Sequence, residues 1–569
     1  MRFWKRNSHF EDFSLTPDEI FLDSENIPGF SRERFEGIIE RPISSGAIYS
    51  FAALLFLFGG LLFGRTLWLQ VVRGNELESR AVNNYIQKTY IEPPRGLIYD
   101  RKGRALVTNE VSVDEKQETT YWRSVRHPFA YSHILGFVSA LTAEDIKKSS
   151  QSIGISEKGK TGLEERYDDR LRGVPGERNE ELNASGKILS RGVIKPSQAG
   201  ENITTTLNAD LQEELWSNID RVVLERGFHG GAGIIFSVSD GSILAIVSDP
   251  SFDLNLFSKG LDAASAKELF SNSRAPLFNR AVAGTYAPGS IIKPFIALAA
   301  LDEHIISPNR QIYSSGSISI PDPFQKGKES IFLDWKAHGF VDMRRAIAVS
   351  SDVYFYTIGG GFGDMSGLGI LKIKSWLSRF GFDTSTGINL PGEKSGFLPD
   401  PESKKKSHPE NPIWRIGDTY HASIGQGDTL VTVVEVMRGL GILANSGKKF
   451  TPYLVKGEAQ PLTDGVSLNP EYYQIIKEGM RQSADIGGTA AAVAWVPEGY
   501  AAKTGTAEIG NKDRVNSWFI GYTPYEKPKI GVVILMESGP RANLVGASSV
   551  ASDITRWIID HGGIDALLN

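Results

Sequence analysis

The sequence predicts an α+β protein: an antiparallel sheet covered by helices, preceded by an extended, strand-rich segment and one N-terminal transmembrane helix. Three observations carry that expectation. An uncharged run from Ile43 to Phe63 has the length of a membrane span. Strand patterns open and close the C-terminal half with helical patterns between them, so both ends of that half feed one sheet. Between the two regions, Gly159 to Gly200 is rich in Gly, charge and turn formers. It reads as loop-rich and extended, not as a second compact core.

Residues 1–42 mix acidic residues with scattered aromatics and show no clear period, which reads as a flexible cytoplasmic tail. The transmembrane helix is placed at 43–69. Arg41 and Arg65 bracket its uncharged part, and Trp68 stands where an interfacial aromatic anchors. A cleaved signal peptide would be shorter, nearer the start, and followed by a small-x-small site. A buried core helix would carry a polar stripe. Arg2, Lys5, Arg6, Arg32, Arg34 and Arg41 precede the span, which puts the N-terminus in the cytoplasm and the remainder outside.

Residues 70–228 form the strand-rich module. Short apolar pieces around Ile98 and Leu106 flank the turn Asp100–Gly103, and Leu211–Arg226 has a helical period. Residues 229–569 form the sheet domain. Ala232–Val238 and Ile243–Val247 pair across Ser239-Asp240-Gly241, and Trp518–Tyr522 and Ile530–Met536 are further strands. Ile291–Leu301, Asp342–Tyr356 and Leu430–Ala444 are helical, and Lys404-Lys405-Lys406 reads as a solvated loop. The net charge of −5 and pI near 6.1 leave no basic excess for a nucleic-acid partner. The absence of cysteine excludes disulfides, thiolate catalysis and cysteine-ligated zinc.

Ser-x-x-Lys occurs at Ser290–Lys293, Ser403–Lys406 and Ser446–Lys449, so the spacing alone selects none of them. Only Ser290 follows a Pro-Gly stop and opens an apolar helix, with Lys293 three residues on along the same face. A serine nucleophile needs such a neighbouring base, and a lysine serves once desolvation or a second cation lowers its pKa. Downstream, in order, come Ser350-Ser351-Asp352 and Lys503-Thr504-Gly505-Thr506 ahead of the terminal strands. The three elements together form the signature of penicillin-binding proteins and serine β-lactamases.

The pieces TYAPGSIIKPF, VSSDVYFY, ASIGQGDTLVT, KTGTAE and NSWFIGYTP resemble the transpeptidase domain of class B penicillin-binding proteins over residues 229–560. PPRGLIYDRKGRALVTN, HILGFV and GKTGLEERYDDRLRG resemble that class's non-catalytic pedestal, its dimerisation-like domain. Asp352, where most members carry Asn, is similar to the penicillin-binding protein 2 branch, which serves elongation. The resemblance implies a cofactor-free peptidoglycan D,D-transpeptidase on the bacterial cytoplasmic membrane. Its substrates would be stem peptides ending in D-Ala-D-Ala, its inhibitors β-lactams, and its partner a SEDS-family, RodA-like membrane glycosyltransferase. Ser290 would be the nucleophile and Ser350 a proton relay between Lys293 and the leaving amine. Lys503 would be a second cation that keeps Lys293 partly neutral and attracts a substrate carboxylate. Gly505 would let a ligand lie against the strand bearing Thr504 and Thr506, with the N–H groups of Ser290 and Thr506 as oxyanion hole. Hydrolysis, as in a D,D-carboxypeptidase or β-lactamase, and a mainly activating role toward the glycosyltransferase are the alternatives.

Two departures stand out. Only the segment 114–132 separates Val113 from His133, where members carry a far longer head on the pedestal. Some relatives also hold zinc with Asp, His and Cys. Asp322, Asp334 and His338 fall in the matching region, but Ser351 stands in the cysteine's place, so zinc is not expected. Asp334 and His338 then read as loop residues that help to order the site.

Overall fold

The computed structural model describes residues 45–113, 119–148, 154–183, 187–322, 327–510, 513–543 and 546–568. The tail 1–42 lies outside them. The chain divides into two units, Met1–Gln87 with Glu181–Ser190, and Lys88–Glu180 with Arg191–Asn569.

In the first unit, helix α1 (Ser45–Leu67) has 23 residues, about 35 Å of helix against a hydrocarbon core of about 30 Å. With its extension to Val72 it is the one helix among the described residues long and apolar enough to cross a membrane, and none of it is buried. Apolar on all sides, it needs a lipid or protein surround. The Arg65 and Arg73 guanidinium groups lie 4.6 and 5.7 Å from the Trp68 ring centroid, which fastens the aromatic at the end of the span.

The second unit begins with a four-stranded sheet of β1 (Ile98–Tyr99), β2 (Ala105–Val113), β3 (Thr119–Val125) and β4 (Ile203–Thr204), in the order β3-β2-β1-β4. The turn expected at Asp100 is closed by its own carboxylate, which accepts the backbone N–H groups of Lys102 and Arg104 at 2.8 Å each. The region is more compact than its composition implies. Ile98, Leu106, Leu135, Leu163 and Leu171 are fully buried, and short helices replace the loops expected after Gly159. Its centre is ionic. Glu164 accepts Arg95 Nε and Arg123 Nε at 2.7 Å each, and Asp168 accepts a second Arg95 nitrogen at 2.7 Å. Paired in this way, charges can occupy a buried site that the sequence marks only as polar.

Five antiparallel strands make the main sheet: β5 (Gly230–Ser237), β6 (Ile243–Asp249), β7 (Ala501–Ile509), β8 (Arg514–Thr523) and β9 (Ile530–Pro540), in the order β6-β5-β9-β8-β7. The first strand of the domain lies beside its last, as strand signals at both ends imply. Alternation sorts the side chains. Ile234, Val533 and Leu535 join the core beneath the helices that include α3 (Lys293–Asp302) and α6 (Val433–Ala444). Ile235, Val532 and Ile534 face α2 (Ala209–Arg226) and α7 (Ala547–Asp560). With both faces covered, these strands read as apolar runs.

Helix α2 packs on the main sheet, with Leu211, Leu215, Ile219, Val222 and Val223 all in the core of the sheet's outer face. Asn208 caps α2 by accepting the N–H of Leu211. The helix expected over Asp342–Tyr356 is two helices, α4 (Met343–Val349) and α5 (Asp352–Gly360). Ser350 interrupts them in the left-handed region (φ 58°), and Ser351 caps α5 through Tyr354 N–H. Lys404-Lys405-Lys406 is not a solvated loop either. It lies on a helix, Pro401–Ser407, opened by an Asp400–Ser403 capping box, and buried Lys404 pairs with Asp418 at 2.6 Å.

Burial at the end of β6 carries a pH prediction. It pushes the Asp249 carboxyl up to about 7, with Asp220 of α2 adding repulsion. A carboxyl that holds its proton more tightly folded than unfolded stabilises the fold below its unfolded pKa of about 4. That contribution is lost as pH rises toward the folded value. Asp249→Asn should therefore reduce the loss of stability between pH 5 and pH 8, measured by denaturant unfolding at each pH. Equal losses in both proteins would contradict this.

Candidate active site

Ser290 lies in a one-turn 3₁₀ segment, Gly289–Ile292, that runs into α3 at Lys293. The 3₁₀ geometry stacks residues three apart more closely than the α-helical first turn expected here, so it keeps Lys293 behind Ser290. Pro294, in the first turn of α3, lacks only an N–H that would be unpaired there.

The turn is pressed against edge strand β7. Gly289 sits at φ +55° and donates its N–H to Gly425 O at 2.8 Å. A Cβ on Gly289 would lie 2.7 Å from Thr506 O, and one on Gly505 would lie 2.8 Å from Pro288 O and 2.9 Å from Ile291 Cγ2. Gly505 thus makes room for the Ser290 turn itself, where the sequence reading gives that space to a ligand. Opposite Gly505 on β8, Trp518 is fully buried and donates its indole N–H to Ala287 O at 3.0 Å. Gly289→Ala combines backbone strain with that clash. Acylation by a β-lactam is expected to fall by roughly 10- to 100-fold through misplacement of Ser290; an unchanged rate in a labelling time course would contradict the close approach.

The remaining groups converge beside this turn. Lys293 is fully buried and its Nζ donates to Asp352 Oδ1 at 2.6 Å, Ser350 O at 2.8 Å and Ser350 Oγ at 3.3 Å. The same ammonium lies 5.3 Å from the Phe355 ring centroid. Lys503, on β7 and also fully buried, donates to Ser350 Oγ at 2.9 Å and to Thr504 O at 2.7 Å. The Ser350 hydroxyl therefore stands between two amines, and Ser350 holds it there from a left-handed backbone that costs a non-glycine residue about 1–2 kcal/mol. Among the described residues the Ser290 hydroxyl makes no hydrogen bond, and Thr506 is exposed beside the turn with Thr504 partly so.

The electrostatics differ from the expectation in one respect. Burial, then the charge of Lys293, pushes Lys503 well below the ordinary lysine range. The sequence reading makes Lys503 the charged partner instead. Burial also raises the Asp352 carboxyl, against the pull of Lys293. Lys293, Lys503, Asp352 and the Ser350 hydroxyl thus form one buried hydrogen-bonded cluster.

The zinc of some relatives does not fit these residues. Asp334 Oδ2 already accepts Ser351 Oγ at 2.8 Å, Ser314 Oγ at 3.1 Å and Val353 N–H at 3.1 Å. Asp322 accepts Ser330 Oγ, and His338 Nε2 stands 3.5 Å from Asp334 Oδ1. Among the described residues no three acidic, His or Cys side chains converge on one point. Of the residues that sequence reasoning singled out, the fold joins Lys293, Ser350, Asp352 and Lys503 by hydrogen bonds and sets Ser290 on the turn just before Lys293. Sequence reasoning passed over Phe355, Gly425 and Trp518, although each lies within a quoted segment, because their contacts are long-range.

A serine on a helix-opening turn, two buried lysines and a bridging hydroxyl, set against the edge of a five-stranded sheet, define an active-site-serine acyltransferase. Residues 231–560 match the penicillin binding protein transpeptidase domain, and residues 116–205 the penicillin-binding protein dimerisation domain. The chain belongs to the penicillin-binding protein transpeptidase family. It is 29% identical to the peptidoglycan D,D-transpeptidase MrdA of Haemophilus influenzae, over 89% of this chain and 90% of that one. A complex between penicillin-binding protein 2 and MreC from Helicobacter pylori superposes with a TM-score of 0.71 at 26% identity, covering 84% of this chain and 99% of the other. A structure described as a peptidoglycan synthase complex that coordinates polymerization and crosslinking superposes at 0.70 with 25% identity, covering 90% and 97%.

Proposed function

We infer that the protein is a peptidoglycan D,D-transpeptidase of the penicillin-binding protein 2 type, working in cell-wall elongation. The observation that carries this reading is the Ser350 hydroxyl held 3.3 Å from Lys293 Nζ and 2.9 Å from Lys503 Nζ, beside the Ser290 turn. Ser290 Oγ attacks the penultimate D-Ala carbonyl of a stem peptide while Lys293, as general base, takes its proton. Asp352 accepts a hydrogen bond from Lys293 Nζ at 2.6 Å and holds that nitrogen in place. The N–H groups of Ser290 and Thr506 receive the oxyanion. The proton passes through Ser350 to the leaving amine, the C–N bond breaks, and terminal D-Ala departs. An acceptor amine then attacks the acyl-enzyme ester, its proton returns through Lys293, and Ser290 is regenerated. Since Lys503 is enclosed, the Thr504 and Thr506 hydroxyls are the groups that meet the substrate carboxylate.

The pedestal, residues 70–228, carries this domain outside the cytoplasmic membrane, with α1 as single-pass anchor and the N-terminus in the cytoplasm. Its partner is then a SEDS-family, RodA-like glycosyltransferase, a reading supported by the relative described as a peptidoglycan synthase complex that coordinates polymerization and crosslinking. Reconstitution with such a polymerase and lipid-linked disaccharide-pentapeptide tests the reaction. Cross-linked dimers that vanish on adding penicillin are expected. Release of D-Ala without cross-links, or rapid β-lactam turnover, would make the protein a hydrolase; faster glycan polymerisation without either product would make it an activator.

A further inference from the structure

Ser350 is the strained point of the site, and neither of its two catalytic neighbours holds it from outside. The structure assigns that task to Asp334 and Trp335. Asp334 Oδ2 takes the Ser351 hydroxyl at 2.8 Å and the Val353 N–H at 3.1 Å, fixing the chain just after Ser350. Trp335 donates its indole N–H to Val349 O at 3.0 Å, fixing the chain just before it. The two adjacent residues are locked together because Trp335 N–H bonds Asp334 Oδ1 at 2.8 Å. One dipeptide therefore grips both sides of Ser350 and keeps its backbone left-handed, with the hydroxyl turned to Lys293 and Lys503.

We propose that Asp334 is a positioning residue for Ser350, and that Ser351 makes this support metal-free. The Asp334 side chain is fully enclosed, and its Oδ2 already meets three donors, Ser351 Oγ, Val353 N–H and Ser314 Oγ. A cysteine at 351 would be a thiolate ligand; the serine hydroxyl instead donates a hydrogen bond to Asp334 and accepts one from Tyr354 N–H. Hydrogen bonds alone take the place of a bridging ion.

The inference rests on the active-site reading above, and its test separates the two. Full-length wild type, Asp334→Ala, Ser351→Ala and the double variant are reacted with fluorescent penicillin, with and without prior chelation. The rate constant of acylation should fall by roughly 10- to 100-fold in each single variant, with the apparent affinity for penicillin little changed. The double variant should lose less than the product of the two single losses, since Asp334 and Ser351 share the 2.8 Å bond. Ser351→Ala guards against misfolding, and faster amide exchange over residues 349–354 in both variants should accompany the loss. Chelation should leave the wild-type rate unchanged, and purified protein should hold no stoichiometric zinc. A labelled wild type with equally fast variants overturns the support alone, as does a rate lost on chelation and restored by zinc. A wild type that never labels overturns the active-site reading and this inference with it.

Discussion

Lys293→Ala is expected to slow acylation by a β-lactam by about 10²- to 10⁴-fold, the range of a lost general base. Lys293 follows Ser290 by three residues, at the point where the Gly289–Ile292 turn opens α3. Lys503 is engaged by Ser350 and by Thr504 O, on the far side of the Ser350 hydroxyl. Removing Lys293 also strips Asp352 of its 2.6 Å partner in a buried setting, which adds rearrangement to the loss of the base. Lys293→Arg separates the two effects. It keeps the positive charge beside Asp352 but cannot give up its proton near neutral pH. Retaining the charge in this way should not rescue the rate; labelling of Lys293→Arg at the wild-type rate would make Lys293 an electrostatic prop and not a base. Lys503→Ala should cost less, because Ser350 keeps Lys293 as a partner.

The second large effect lies in the pedestal. Glu164→Ala removes the carboxylate shared by two buried guanidinium groups, Arg95 and Arg123. Asp168 still meets Arg95, but Arg123 loses its counter-ion in a site where it is 4% exposed. Stranding a buried charge in this way costs about 3–5 kcal/mol. The first unfolding transition in urea should shift accordingly, and Glu164→Gln, which keeps an acceptor, should lose less. A loss for Glu164→Ala of under about 1 kcal/mol, the range of an exposed pair, would show that water reaches the cluster.

The strands of the main sheet were legible because each is a short apolar run bounded by turn residues, and their order follows from placing both chain ends in one layer. The reactive residues were legible as motifs in sequence order. What periodicity could not show was where a continuous apolar pattern breaks. Val349 and Val353 keep the helical spacing across Ser350, where a left-handed backbone and the Ser351 cap separate α4 from α5. Composition failed for 159–171, because charges that pair with one another inside the pedestal look the same in sequence as charges in water. Gly505 was assigned by analogy of role, whereas its space is taken by Pro288 and Ile291, a contact between residues more than 200 positions apart.

The central claim is that Ser290, and no other serine, carries the acyl group. The direct measurement is mass-spectrometric mapping of the covalent penicillin adduct on the full-length protein, wild type beside Ser290→Ala. One adduct is expected, on the peptide containing Ser290, and none on the variant at equal folding. An adduct on Ser350 or Ser351, or stoichiometric labelling that persists in Ser290→Ala, would contradict it.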